Sequence, residues 1–253
     1  MKFGQAQPAR RREDIRFLTG QGRYVDDIAP KGALHAWFLR SDHAHADIAA
    51  LDVAAAREAP GVHLVLTADD LRAAGVETGM RFTRVANRDG SKGAAPARPV
   101  LAEGRVRFVG EAVAMIVADT LTAARDAAEL IDLSLEEVPV ALSLHPGGAS
   151  IHPEAAVNLA FDYGIGREAE TAAALAASAH VVRLEVLHNR VIVNPMEPRG
   201  AWAEWDGARL HLCVNGQGVW TQKKELARML GLAPDAVRAV SYTHLTLPTI
   251  LRV

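Results

Sequence analysis

Hydrophobic positions in this chain fall into short runs punctuated by turn-forming residues, a pattern that predicts strands interleaved with short helices. Residues 34–39 follow Pro30, Lys31 and Gly32 and predict a strand, which leads into a polar His/Asp segment at 42–47. Asp52 is placed to cap a helix over 53–58 by accepting backbone N–H bonds. Pro60 and Gly61 end that helix, and the β-branched run 62–66 predicts a buried strand. Thr67-Ala68-Asp69-Asp70 has capping-box spacing for a short helix that Gly75 terminates. Residues 79–99 show no hydrophobic period and predict a long loop.

The most apolar stretch, 112–118, predicts a buried strand. A helix follows with Leu121, Ala124, Ala128 and Ile131 on one face and Asp119 as its cap, and 133–138 returns as a strand. This strand-helix-strand order predicts a crossover unit and a mixed α/β module ending near Pro139, with a Pro/Gly linker at 139–148. Beyond the linker come an Ala-rich helix over 168–177 and a β-rich stretch at 180–193. A hairpin of 201–205 with 208–214 then turns about Asp206-Gly207, a pair suited to a type I′ turn. Its second strand runs into Asn215-Gly216-Gln217-Gly218 and directly into a helix with Val219, Gln222, Leu226 and Met229 on the inner face and Gly231 beyond its end.

Composition narrows the function classes. The 253 residues are 49% hydrophobic and 23% charged, which excludes disorder, collagen and a small disulfide scaffold. Lys plus Arg number 28 against 30 Asp plus Glu, a net charge of −2, so no nucleic-acid or anionic-membrane partner is expected. The single cysteine, Cys213, forms neither an internal disulfide nor a four-thiolate metal site. The basic cluster at 10–12 is followed by Glu13 and Asp14 rather than an apolar segment, so no secretory signal is read, and 112–118 falls far short of the ~20 apolar residues of a span. The expected location is cytoplasmic, without membrane insertion.

Few residues suggest chemistry by themselves. His43 and His45 form an H-x-H pair that would share one face of a strand, yet no third ligand is evident, and surface or hydrogen-bonded histidines explain them. Cys213 lies in an alternating strand without a basic neighbour and reads as a small buried hydrophobe. Gly164-Ile165-Gly166 lacks the third glycine and the preceding strand of a dinucleotide loop. Asn215-Gly216-Gln217-Gly218 is more informative. It joins a strand end to a helix start, where backbone N–H groups are free, glycines permit close approach, and Gln217 adds a neutral amide donor.

Residues 11–28, RREDIRFLTGQGRYVDDI, resemble the opening of the large, molybdopterin-binding subunits of the xanthine dehydrogenase, aldehyde oxidase and aerobic carbon monoxide dehydrogenase family. Residues 40–46, RSDHAHA, are similar to the family's R-S-P-H-A-H-A with Asp42 in place of proline. Residues 105–114 resemble its R-V-R-F-V-G-E-P-V-A block, and 194–199 its P-M-E-P-R element. The blocks run in register from about residue 11 to 240. The resemblance implies an α+β (mixed α/β) fold: an N-terminal α/β hammerhead domain over 11–140, then the truncated start of the molybdenum-cofactor-binding domain over 141–241. In the family the glutamine matching Gln217 lies beside molybdenum and donates its amide to an oxo ligand, so Gln217, with Gly216 and Gly218, is the implied cofactor contact. No residue here is implied to ligate the metal directly. Glu111 and Glu197 lie in family blocks, but burial or pairing with arginines explains each.

The implied activity is oxidative hydroxylation of an aldehyde, an N-heterocycle or purine, or carbon monoxide, with water as the oxygen source. The implied cofactor is molybdopterin in its dinucleotide form. The implied partners are a 2Fe–2S small subunit and an FAD-binding medium subunit, in a dimer of heterotrimers acting on a small-molecule substrate. Residues 242–253 depart from the family's P-D-V-G-G-G-F-G loop and read as a non-native tail of the kind left by a translated sequencing adapter. The family's catalytic glutamate falls outside this chain, so the chain alone is expected to hold no catalytic residue, no molybdenum and no activity, and to aggregate through exposed strand edges. The competing reading is a non-catalytic α/β interaction module.

Overall fold

The structure, a computed structural model, describes residues 14–28, 30–80, 84–188, 199–216 and 218–241. Its contacts divide the chain into two compact units, one of residues 34–192 and one joining 1–33 to 193–253. This division falls elsewhere than the sequence domains 11–140 and 141–241. The reason is local: residues past the linker fold back onto the 84–94 loop. Ala94 donates to the Ala160 carbonyl at 2.7 Å, and the Arg88 guanidinium grips the Asp162 carboxylate at 2.8 Å.

After a one-turn helix α1 (Asp14–Leu18), the larger unit runs β1 (His35–Arg40), β2 (Ala46–Asp52), α2 (Ala54–Arg57), β3 (Val62–Leu66), α3 (Ala68–Ala73), β4 (Gly79–Met80), β5 (Arg98–Pro99), β6 (Arg105–Val106), β7 (Ala112–Ala118), α4 (Leu121–Glu129), β8 (Asp132–Glu137) and α5 (Glu168–Ala177). Two three-stranded sheets organise it, in the orders β1-β7-β3 and β6-β2-β8. Strand β7 is the core of the first. Val113, Ala114, Ile116 and Ala118 are fully buried, as its unbroken apolar run requires, and both neighbours are antiparallel. Helix α4 lays Ala124, Ala127 and Ala128 against this sheet, their small side chains allowing close packing with Val65 and Ile116.

Local stop and start signals operate as expected. Asp52 Oδ1 accepts the Ala54 N–H at 2.9 Å. Thr67 and Asp70 close a reciprocal capping box, and Gly75 holds φ +73° after α3. The cap of α4, however, is Thr120, whose Oγ1 accepts the Ala123 N–H at 3.1 Å, while Asp119 bonds the His63 ring at 2.7 Å. The expected crossover is absent: β7 and β8 lie in different sheets, and β8 pairs antiparallel with β2. Strand β2 is itself an unexpected element. A register shift between Ile48 and Ala50 interrupts its period-two alternation, which hid it in the sequence. β3 is an edge strand with His63 and Leu64 exposed rather than a buried one. The 79–99 loop contains the short β4–β5 pair and an Ala86–Lys92 bridge. Residues 180–188 form no strand, and the remainder of the expected β-rich stretch, 189–193, lies outside the described residues.

The smaller unit contains β9 (Ala201–Trp205), β10 (Leu210–Val214), α6 (Val219–Met229) and β11 (Val237–Val240), with sheet order β11-β10-β9. The hairpin loop spans 206–209 rather than two residues. Asp206 Oδ1 accepts the N–H groups of Ala208 and Arg209, and among the loop residues only Gly207 takes positive φ, so the turn is not type I′. The His211 ring also bonds Asp206 at 2.7 Å, and with the two N–H donors it holds that carboxyl well below its ordinary value. β11 lies parallel to β10 with α6 between them in the chain, so the crossover unit of this protein is β10-α6-β11.

Candidate functional site

The bend that ends β10 lies at the carboxyl end of the parallel pair, the position at which open α/β sheets present ligand-binding loops. Asn215 anchors it: its Oδ1 accepts the Gly200 N–H at 2.9 Å and its own N–H donates to the Gly200 carbonyl at 3.3 Å, tying the bend to the start of β9. Gly218 takes left-handed φ and ψ of 78° and 49°, and its carbonyl accepts the N–H groups of Thr221 and Gln222 in the first turn of α6. At Gly216 a Cβ would meet the Gln222 side-chain nitrogen, the far end of a flexible side chain that would have to move aside. Gly216 and Gly218 are thus brought together with the opening of α6, as the sequence implied. Gln217, the residue expected to meet the cofactor, lies outside the described residues.

Two polar groups that the sequence did not single out border this bend. Among the described residues Gln222 Oε1 is buried without a hydrogen-bond partner, and so is the Oγ of Ser241, which follows the Val240–Cys213 pair and so stands beside the end of β10. The available signal was a polar side chain on the inner face of a predicted helix. A site with glycine-permitted backbone access, no fixed charge at 215–218 and two orphaned neutral groups fits a large polar ligand such as a pterin.

The other sequence candidates separate from this bend. His43 and His45 precede β2 rather than sharing a strand face. The His43 ring meets Asp42 at 2.6 Å, and this hydrogen bond lowers the Asp42 pKa, whereas His45 is buried with Nδ1 donating to the Pro139 carbonyl at 2.7 Å. No cluster of three or more His, Cys, Asp or Glu suited to a metal ion occurs among the described residues. Cys213 is fully buried in β10. Glu111, 7% exposed, accepts the Arg107 backbone N–H at 2.5 Å, which accounts for its burial. The Ser41 N–H donates to the Glu111 carbonyl at 2.9 Å and the Arg40 guanidinium to the Gly110 carbonyl at 2.8 Å, which joins two blocks that carried the family resemblance. Glu197 and its P-M-E-P neighbours, and the 242–253 tail, lie outside the described residues. A cavity of about 670 Å³ lies within the larger unit, lined by Arg107, Glu111 and His152 among mostly apolar groups, and burial lowers the His152 pKa there. Among the described residues no helix is long and apolar enough to cross a membrane.

Comparison with known proteins decides the lineage. Residues 19–139 match the model of the aldehyde oxidase and xanthine dehydrogenase a/b hammerhead domain, and residues 151–243 match that of the molybdopterin cofactor-binding domain. The chain belongs to the aldehyde oxidase and xanthine dehydrogenase family. Relatives in this family include the nicotine 6-hydroxylase large subunit of Paenarthrobacter nicotinovorans, 38% identical over 91% of this chain and 28% of its own length. The carbon monoxide dehydrogenase large chain of Hydrogenophaga pseudoflava is 30% identical over 91% of this chain and 30% of its own. The crystal structure of quinoline 2-oxidoreductase from Pseudomonas putida 86 superposes with a TM-score of 0.72 at 34% identity, covering 91% of this chain and 29% of that one. The chain therefore spans less than a third of the length of these relatives, and its fold is the mixed α+β one that the resemblance implied.

Proposed function

We propose that residues 11–140 and 141–241 supply the hammerhead domain and the first part of the molybdopterin-binding domain of a molybdenum hydroxylase catalytic subunit. The proposed reaction is hydroxylation of a small substrate (an aldehyde, an N-heterocycle or purine, or carbon monoxide) with water as the oxygen source. The observation that carries this reading is the bend at 215–218, held at the carboxyl end of β10 within the stretch that matches the cofactor-binding domain. When bound, the molybdenum cofactor supplies the two-electron redox centre and the activated oxygen.

The contribution of this chain is positioning. Gly216 and Gly218 keep side chains out of the cofactor's path, Asn215 fixes the bend to Gly200, and the Gln217 carboxamide donates a hydrogen bond without adding charge. None of the residues present acts as the catalytic base. The partners this reading implies are a 2Fe–2S subunit and an FAD subunit, which would carry the electrons away, in a cytoplasmic assembly of paired heterotrimers. Residues 1–253 alone neither retain molybdenum nor turn over, because a cofactor site needs several converging protein groups and a single bend supplies only one set of them.

The test is metal analysis of the complete large subunit purified with its companions. Near-stoichiometric molybdenum is expected. Gln217→Ala is expected to keep the metal and lower kcat by about 10²-fold, the loss typical of removing one preorganised donor. Metal-free preparations, or an unaltered kcat in the variant, sink the proposal.

A further inference from the structure

The bend carries a second carboxamide whose placement packing does not explain. Gln222 lies one turn into α6, its backbone N–H donating to the Gly218 carbonyl at 3.1 Å, and its side-chain nitrogen reaches over Gly216, where a Cβ would push the amide aside. Its Oε1 is buried and has no partner among the described residues, and Ser241 Oγ shares that condition at the same end of the β10–β11 pair. A buried acceptor without a donor destabilises a fold, whereas an apolar side chain of equal length would fill the same volume without that penalty. A polar group kept under those conditions is accounted for by a donor that arrives with a ligand.

We propose that Gln222 is a cofactor-positioning residue: its Oε1 accepts a hydrogen bond from an N–H or O–H of the bound molybdopterin, and its amide, resting on Gly216, maintains the bend that leads to Gln217. This rests on the functional reading above. It predicts effects of opposite sign on stability and on cofactor retention, which a residue serving packing alone does not produce.

The experiment uses the complete large subunit assembled with its companion subunits, produced with and without molybdopterin supply. Gln222→Met keeps the length and removes the polar atoms. The cofactor-free variant is expected to melt at or above the wild-type temperature. Its molybdenum and pterin, measured after dialysis, are expected to be retained about fivefold less well, the equivalent of one lost neutral hydrogen bond. Gly216→Ala, which displaces the Gln222 amide, is expected to lower cofactor retention as Gln222→Met does, with little further loss when the two are combined. A Met variant that melts lower and holds the cofactor as wild type does overturns the inference, as does strict additivity in the double variant. Wild-type protein without molybdenum would instead sink the functional reading, so the two failures are distinguishable.

Discussion

Two segments of this molecule share one local pattern, strand-helix-strand, and reach opposite outcomes. In β7-α4-β8 the returning strand leaves the sheet and pairs with β2; in β10-α6-β11 it returns beside its starting strand and lies parallel to it. The difference is not in the helices, both of which bury a short small-residue face: Ala124, Ala127 and Ala128 in α4, Ala227 in α6. It lies in the edges. β7 already has an antiparallel neighbour on each side, so β8 finds no free row of N–H and C=O groups there. β10 has β9 on one side only, and β11 takes the other. The parallel pair that results ends at one common carboxyl edge, where a ligand-binding bend can follow the strand, and so the candidate site belongs to the second segment.

Perturbing each segment separately sharpens this contrast. The largest effect is expected at the centre of the enclosed strand: Ile116→Ala should destabilise the larger unit by about 2–5 kcal/mol in denaturant unfolding, because the fully buried side chain leaves a cavity that two flanking strands cannot close. In the open segment Ala227→Leu, at a fully packed position on α6, should cost about 1–3 kcal/mol through overpacking, and its effect should be confined to the smaller unit. Thr120→Ala removes the α4 cap and should cost about 1 kcal/mol, with Asp119→Ala nearly neutral at that helix. Equal losses at 119 and 120 would contradict the capping geometry.

The smallest effect concerns the loop that feeds β10. The His211 ring and the N–H groups of Ala208 and Arg209 depress the Asp206 carboxyl, so its contribution to stability is complete above the ordinary aspartate range near about pH 4 and is lost as pH falls toward the folded value. Asp206→Asn should therefore lower the melting temperature slightly at neutral pH, with the gap to wild type closing in acid. A gap that widens in acid would reverse the assignment.

Much of the local structure was legible beforehand. Asp52, Thr67 with Asp70, Gly75 and Gly231 mark helix ends through interactions that span four residues or fewer, and the apolar run 112–118 could only be a strand enclosed on both faces. Strand β2 escaped because its bulge breaks the alternation, and the Asp206 loop because side-chain hydrogen bonds replace the positive φ that a tighter turn would need. At the candidate site, the bend that Gly216 and Gly218 form before α6 was readable from the glycine pattern. Gln222 was visible only as one member of a helical face, since nothing in its spacing reveals that its amide nitrogen covers Gly216 or that its Oε1 is buried without a partner among the described residues.

The amino-acid order by itself determined which residues cap, which turn and which stretch becomes strand or helix, because each of those outcomes is settled within about one helical turn or one strand by sterics and nearby hydrogen bonds. The tertiary structure decided where β8 and β11 pair, and therefore which strand end leads into the bend at Gly216. Strand pairing depends on the edges that remain unoccupied, a property of the assembled sheet that no single segment carries.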